Sequence, residues 1–394
     1  MIEMQYVRPG LRTLFIATAA LALSACGGGG DGDNDPANTP DNTPEPVAKI
    51  LTRPNNPDCI APASSDDVAT QLSDTGCFSR TDTRQVVEGV IPYTVNNLLW
   101  SDGEKKGRFF AIPDGTFITL MDDSPSSTSG TGVKNGDFDF PPGSVIIKHF
   151  FNGSRIVETR LLMNHANDGW AGYAYEWNGT QTNATLLTSG KQITTPVSHY
   201  FPSPTECMDC HTGATPGTTA ARVALGPDTL QLNYTLNYTD GSSENFLDAL
   251  VRLDFFDNTL SPEYKQARLY ALGDNSASIE DRARSYLHGN CSGCHRPGGS
   301  AAGGFADLRF NASFTPYDFN GMTIYNICNA PQQATDTPPG ATKVIAPGDA
   351  AHSALFMRIN SVESSVMMPP IGRATVDTQA AQLIRQWINS LNGC

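Results

Sequence analysis

Two Cys-x-x-Cys-His motifs, Cys207–His211 and Cys291–His295, constrain this chain more than any other feature. Two thiols at that spacing can bond the two vinyl groups of one haem, and the adjacent histidine can then ligate the iron. A zinc site would need two ligand pairs about 12–20 residues apart, whereas 81 positions separate Cys210 from Cys291. A thioredoxin-like redox motif would need a βαβ context, which neither segment indicates. The motifs predict two haem c groups, attached through Cys207, Cys210, Cys291 and Cys294, with His211 and His295 as proximal iron ligands.

The N-terminus has the pattern of an export signal. Arg8 and Arg12 precede a short apolar run, and the segment Leu23–Cys26 resembles a bacterial lipobox. This pattern predicts a lipoprotein signal peptide over residues 1–25 and a lipid anchor on Cys26, with an ordinary signal peptide as the alternative. Glycine rather than aspartate after Cys26 favours the outer membrane, with the protein facing the periplasm or the exterior.

We expect residues 26–54 to form a flexible tether, because this segment is rich in Gly, Asp and Pro and cannot bury a core. No apolar run reaches the roughly 20 residues that a membrane span needs, so the lipid is the only expected membrane contact. The 40 acidic residues outnumber the 26 basic ones, for a net charge of −14. This balance excludes a phosphate-neutralising nucleic-acid surface and favours a basic redox protein as partner.

Four cysteines remain once the two motifs and Cys26 are assigned, namely Cys59, Cys77, Cys328 and Cys394. An exported chain meets an oxidising compartment, so disulfides are expected. Proximity along the chain favours Cys59–Cys77 and Cys328–Cys394, although four cysteines allow three pairings and one pair could stay reduced.

The expected fold class is α+β with two haem domains. A β-rich domain at 55–245 carries the first haem, a helical bridge spans 246–274, and an all-α domain of the class I cytochrome c type at 275–394 carries the second. Short apolar runs separated by Gly-containing turn pairs predict the strands. Ser278 and Asp377 each precede apolar residues at helical spacing, which predicts two helices in the last domain.

Each iron also has a distal position to fill. A class I domain takes a methionine from a loop before its last helix, and Met368, directly before Pro369, fits that place, with Met367 as the runner-up. The first iron could lack a distal protein ligand, and every candidate could instead be an ordinary core or surface residue. The distal candidates for the first haem are His149, Met163, His165 and His199.

Together the motifs resemble a family of bacterial dihaem c-type cytochromes, first described as conserved hypothetical proteins and often encoded near parallel β-helix surface proteins. The resemblance covers most of residues 85–394, and it implies a β-rich haem domain before a cytochrome c domain without supplying a substrate. The matching stretches are Ile91–Tyr93, Asn96–Asp102, Phe140–Lys148, Glu158–Leu162, Tyr175–Asn178, Pro204–His211, Tyr286–Pro297 and Met368–Pro369.

Electron transfer by a membrane-tethered dihaem cytochrome is the leading functional hypothesis. The alternatives are a dihaem peroxidase-like enzyme and a ligand sensor, both of which would use an open first haem. The sequence contains no nucleophile elbow, no phosphate-binding Gly loop and no His-Glu-x-x-His zinc motif, so no catalytic residue is predicted.

Overall fold

A six-stranded antiparallel sheet, in the order β1-β2-β5-β6-β7-β8, is the largest element of this computed structural model. The structure describes residues 47–50, 52–53, 58–121, 136–195, 198–211, 224–257, 260–296, 299–301, 307–312, 317–319, 322–324, 327–328 and 338–393. Up to residue 252 the elements are β1 (Ile91–Tyr93), β2 (Lys105–Ala111), β3 (Thr119–Met121), β4 (Asp137–Asp139), β5 (Val145–Asn152), β6 (Arg155–His165), β7 (Gly169–Trp177), β8 (Ala184–Leu187), β9 (Lys191–Ile193), β10 (His199–Phe201), α1 (Pro204–His211), α2 (Thr229–Leu232), β11 (Thr235–Asn237), β12 (Ser243–Asn245) and α3 (Phe246–Arg252).

Side chains of the sheet alternate between two faces, as strand geometry requires. The face that we call the helix face carries Phe110, Ile146 and Leu162 in one core cluster with Phe246 and Leu250 of α3. Phe110 lies opposite Ile146, and Ile146 lies opposite Leu162, so these side chains form one row across three strands. Burial of this row against α3 fixes the register, because a slip of one residue would turn it to the other face.

The other face, which we call the disulfide face, packs against residues 58–90. Ile147, Leu161 and Tyr175 share a second core cluster with Leu72 and Phe78 of that segment. Both faces of the sheet are therefore covered, and polar side chains on either face are drawn into the interior.

The predicted Cys59–Cys77 disulfide is confirmed, and both cysteines are fully buried on the disulfide face. Cys328 is also buried and disulfide-bonded. Its predicted partner, Cys394, lies outside the described residues, so the pairing Cys328–Cys394 stays a prediction.

The C-terminal part contains α4 (Ile279–Asn290), the hairpin of β13 (Tyr317–Phe319) and β14 (Met322–Ile324), α5 (Ala354–Ile359) and α6 (Thr378–Ser390). Both predicted helices form where their caps indicate. Ser278 Oγ accepts from Asp281 N at 3.0 Å, and the Asp377 carboxylate accepts from Ala380 N at 3.0 Å. Apolar side chains of α4 and α6 then share a third core cluster.

The expectation of an all-α class I cytochrome c domain at 275–394 is wrong. The chain is β-rich around its six-stranded sheet, and between α4 and α6 the described residues form a β-hairpin, short turns and the brief helix α5. The physical reason lies in the sequence between the two helices. It is rich in Gly and Pro and over most of its length lacks the apolar period that a helix needs to bury one side, so its described residues form mainly turns and a hairpin.

The predicted bridge at 246–274 contains α3 and a single turn of 3₁₀ helix at Pro262–Lys265. All of the described residues belong to one compact unit. None of the helices within the described ranges is long and apolar enough to cross a membrane. The predicted signal peptide, the lipidation site Cys26 and most of the tether lie outside the described residues.

Candidate haem centre

Helix α1 carries the first motif, and a capping box starts it. Ser203 Oγ accepts from Glu206 N at 3.3 Å, and the Glu206 carboxylate accepts from Ser203 N at 2.8 Å. Pro204 occupies the first helical position, where a backbone N–H is not needed. The Ser-x-x-Glu spacing is the sequence signal for this helix start, and the sequence-based prediction missed it. The helix places Cys207 and Cys210 on adjacent turns, both half-buried.

Helix α1, which carries the first motif, packs against strand β7 at a glycine. A Cβ added to Gly172 would lie 2.6 Å from Cys207 Cβ and 3.1 Å from Cys207 Sγ. Only a residue without a side chain leaves that space, so Gly172 allows α1 to approach the helix face of the sheet. Burial raises the pKa of the Cys207 thiol to about 11, although the charge of Arg160 opposes this shift.

The second motif follows directly from α4. Cys291 N donates to Leu287 O at 2.9 Å and His295 N donates to Cys291 O at 2.9 Å, so the helical turn continues through the motif. His295 is half-buried, and its Nδ1 is buried without a hydrogen-bond partner. Burial and the nearby charge of Arg358 lower the pKa of His295, which keeps the ring neutral, as an iron ligand must be.

The fold brings the two motifs into contact. The Cys210 and Cys294 thiols are close enough to shift each other's pKa, although 84 positions separate them in the sequence. Their interaction raises the pKa of Cys210 and lowers that of Cys294. None of the four motif cysteines is in a disulfide. The sequence predicted two sites but gave no sign that they adjoin.

The loop that carries Met368 is tied to the surroundings of His295. Met368 N donates to Arg358 O at 3.1 Å, and Arg373 Nη2 donates to Met368 O at 3.0 Å. The same Arg358 acts electrostatically on His295. Met367 and Met368 are both half-buried. Met368 as the distal ligand of the second haem stays a prediction, and this geometry is compatible with it.

These donors fit a covalently bound haem. Each motif offers two half-exposed thiols followed by a half-buried histidine, and the buried Nδ1 of His295 has no other partner. Covalent attachment would occupy the thiols, and His211 and His295 would bind iron. Within the described ranges, no group of three or more His, Cys, Asp or Glu side chains is arranged to hold a bare metal ion.

Three of the four distal candidates for the first haem lie on the disulfide face, away from α1. His149 is buried among aromatic rings, with Nδ1 2.6 Å from Thr159 Oγ1, and burial lowers its pKa to about 4. Met163 is buried in the core cluster of that face. His165 uses both ring nitrogens, one with Pro62 O at 2.7 Å and one with Tyr173 Oη at 2.8 Å.

His199 is the candidate that lies near α1. Its Nδ1 is 2.6 Å from a Glu104 carboxylate oxygen, and its Nε2 is 2.7 Å from a Glu158 carboxylate oxygen. Although burial lowers it, these two hydrogen bonds raise the pKa of His199 to about 9. The imidazole is therefore charged at neutral pH and donates from both nitrogens, so in this arrangement neither nitrogen is available to iron.

The segment 96–102 joins the second motif to the β-rich part. Asn97 N donates to Gln231 Oε1 at 2.8 Å, and Trp100 N donates to Asn290 Oδ1 at 2.7 Å. Beyond them, the Asp102 carboxylate accepts from the backbone N–H groups of Ala374 and Thr375 at 2.9 Å and 2.8 Å. One short stretch thus holds the end of α4 and the loop that follows Met368.

Comparisons with protein-family models, curated proteins and solved structures found no match to this chain. The site is therefore defined by its own residues: two Cys-x-x-Cys-His motifs in contact, one on a helix seated against a sheet and one at the end of a helix. These features define a candidate dihaem centre.

Proposed function

We propose that this protein is a dihaem c-type cytochrome that transfers single electrons, held at a membrane by a lipid on Cys26. The observation that carries the proposal is the proximity of the Cys210 and Cys294 thiols, which shift each other's pKa. It makes the two attachment sites neighbours. An electron that enters at one site then has a short path to the other, which is what a two-centre carrier needs.

A haem supplies a one-electron iron(III)/iron(II) couple, and the protein tunes its potential through the axial ligands and their surroundings. His211 and His295 would bind iron from the proximal side. At the second site, the Met368 loop would supply a soft thioether, which favours iron(II) and raises the potential. The Arg358 carbonyl and the Arg373 guanidinium both bond to the backbone of Met368, so that residue would be held in a fixed position.

The resemblance to bacterial dihaem cytochromes supports the same function, and the tether adds a reason for the acidic charge. A body held near its partner meets it more often. The net charge of −14 favours a basic redox partner, and electron transfer to that partner should then slow as salt screens the attraction.

An absorption spectrum of residues 27–394, matured with haem, tests the proposal. The wild-type protein should carry two covalent haems by intact mass. Cys207→Ser/Cys210→Ser and Cys291→Ser/Cys294→Ser should each carry one, while the surface variant Asn167→Ala should keep two. If carbon monoxide leaves the reduced spectrum unchanged, both irons are held by protein ligands, as a carrier requires. A wild-type protein without covalent haem would refute the proposal.

One observation favours a second function, reduction of a small ligand at an open first haem. The Glu104–His199–Glu158 group lies beside α1, and the Glu158 charge acts on Cys207. A charged imidazole in that place is a proton donor, which such a reaction would use. Carbon monoxide would then shift the absorption spectrum of half the haem in the reduced wild-type protein. If that shift is lost in the Cys207→Ser/Cys210→Ser protein, an enzyme or a sensor is favoured over a carrier.

A further inference from the structure

Three cationic side chains lie in one row on the helix face of the sheet. Arg108 on β2 is directly opposite Lys148 on β5, and Lys148 is directly opposite Arg160 on β6. Like charges directly opposite each other on neighbouring strands destabilise a sheet. We call Arg108, Lys148 and Arg160 the cationic row.

The cations converge on one aromatic ring. The Arg160 guanidinium lies 4.2 Å from the centroid of Phe150, and the ammonium groups of Lys148 and Lys106 lie at 5.4 Å and 5.8 Å from it. Arg108 is only 7% exposed. Three cations therefore surround one apolar side chain, and Arg108 lies next to them opposite Lys148, where water screens the charges poorly.

The protein neutralises only part of this charge. Arg160 forms an ion pair with Glu158 at 2.8 Å, but Glu158 also accepts a hydrogen bond from His199. No hydrogen bond or ion pair joins Arg108 or Lys148 to a carboxylate of the described residues. When His199 and both lysines are protonated there are five positive charges, and Glu104, Glu158 and Asp102 supply three negative ones. The difference, 5 − 3, leaves two positive charges.

Without a further anion nearby, the two lysines hold their protons only weakly. Burial and then the charge of Arg108 lower the pKa of Lys106 to about 7 and that of Lys148 well below its usual range. A buried cation that lacks a partner carries a desolvation cost, and natural proteins usually compensate it with an anion.

The row lies beside the first haem motif. Arg160 is the member nearest to it, since its charge acts on Cys207. Ala174 on β7 lies directly opposite Arg160. Gly172, two residues before Ala174, packs against Cys207. The small residues Gly172 and Ala174 of β7 thus lie between the row and α1.

We propose that the cationic row, with Lys106, is a binding site for a pair of carboxylates, and that its occupants are the two propionates of the haem attached at Cys207 and Cys210. This inference rests on the proposed function, because it needs a haem at that motif. Two carboxylates match the two charges that stay uncompensated when both lysines are protonated, and they would favour that protonated state. A free small anion has the same chemistry and is the alternative occupant.

The test compares Lys148→Met and Arg108→Met with Lys191→Met in the full dihaem protein. Lys191 also lies beside the sheet but pairs with Glu176 at 2.6 Å on the surface, so it is the matched control. We expect both row variants to shift the propionate bending band in the resonance Raman spectrum and to lower the potential of one haem. Lys191→Met should change neither, and Lys148→Arg, which keeps the charge, should retain the wild-type band.

Each other outcome overturns the inference in a recognisable way. If the row variants keep two haems with unchanged Raman bands and potentials, the row does not bind the propionates, and the dihaem assignment stands. If inorganic phosphate saturably raises the Tm of the wild-type protein but not of Lys148→Met, the occupant is a free anion. If intact mass finds no covalent haem in the wild type, the proposed function fails first, and the inference fails with it.

Discussion

Asn290, the last residue of α4, is bonded through its side chain to the β-rich part of the chain. Its Oδ1 accepts from Trp100 N at 2.7 Å, and its Nδ2 donates to Leu98 O at 3.0 Å. Cys291 follows in the chain, so these two bonds position the second Cys-x-x-Cys-His motif against segment 96–102. That segment also contacts α2 through Gln231, which places the motif relative to the sheet.

Asn290→Ala should destabilise the protein by about 1–3 kcal/mol, because it leaves backbone groups of Leu98 and Trp100 without their partner. The measurement is urea unfolding. The control is Asn167→Ala, an exposed asparagine whose side chain makes no hydrogen bond with the described residues. Equal stabilities for the two variants would mean that the Asn290 contacts do not hold the motif.

Gly172→Ala should push α1 away from β7, since the new Cβ would lie 2.6 Å from Cys207 Cβ. Overpacking of this kind costs about 1–3 kcal/mol. We also expect less haem at the first motif, measured by intact mass. Gly179→Ala is the control, because nothing lies within 4 Å of a Cβ there. Full haem loading and unchanged stability in Gly172→Ala would contradict this seating of α1.

His199→Gln should remove a pH-dependent part of the stability. The pKa of His199 is raised to about 9 by Glu104 and Glu158 against the effect of burial, so its contribution is complete below its unfolded pKa near 6.5. That contribution, roughly 3 kcal/mol, is lost as pH rises through about 9. The difference in unfolding free energy between wild type and variant should therefore shrink from pH 6 to pH 10. A constant difference would show that His199 does not titrate there.

Met368→Ala should lower the potential of one haem and let carbon monoxide bind it, because the thioether is replaced by an open position. Redox titration and the reduced carbon monoxide spectrum measure both effects. Met367→Ala is the matched comparison, since the two residues are adjacent and both half-buried. The reverse pattern, with Met367→Ala opening the iron, would assign the distal position to Met367.

Cys59→Ser/Cys77→Ser should lower the unfolding free energy by about 2–4 kcal/mol, mostly by releasing the unfolded chain from its cross-link. The bond closes a sequence separation of 18 residues on the disulfide face. The haem spectrum should stay unchanged, because the haem motifs do not lie on that face. Loss of a haem in this variant would instead link the disulfide face to the haem centre.

Local signals in the sequence determined part of this structure. The spacing of Cys207, Cys210 and His211 predicts an attachment site by itself, because the chemistry needs only neighbours in the chain. The caps Ser278 and Asp377 started the two predicted helices for the same reason, since a cap bonds groups two or three residues away. The proximity of Cys59 to Cys77 was likewise enough to pair them.

Tertiary structure decided the rest. The period-2 pattern of the strands does not say which strands are neighbours, so the alignment of Arg108, Lys148 and Arg160 follows only from the register of β2, β5 and β6. The same ambiguity left His149 and His199 equivalent in the sequence, although they lie on opposite faces of the sheet. Contact between Cys210 and Cys294 depends on long-range packing, which no local pattern encodes. The missing all-α domain has the same cause: capped helices at each end do not determine what the Gly- and Pro-rich chain between them becomes.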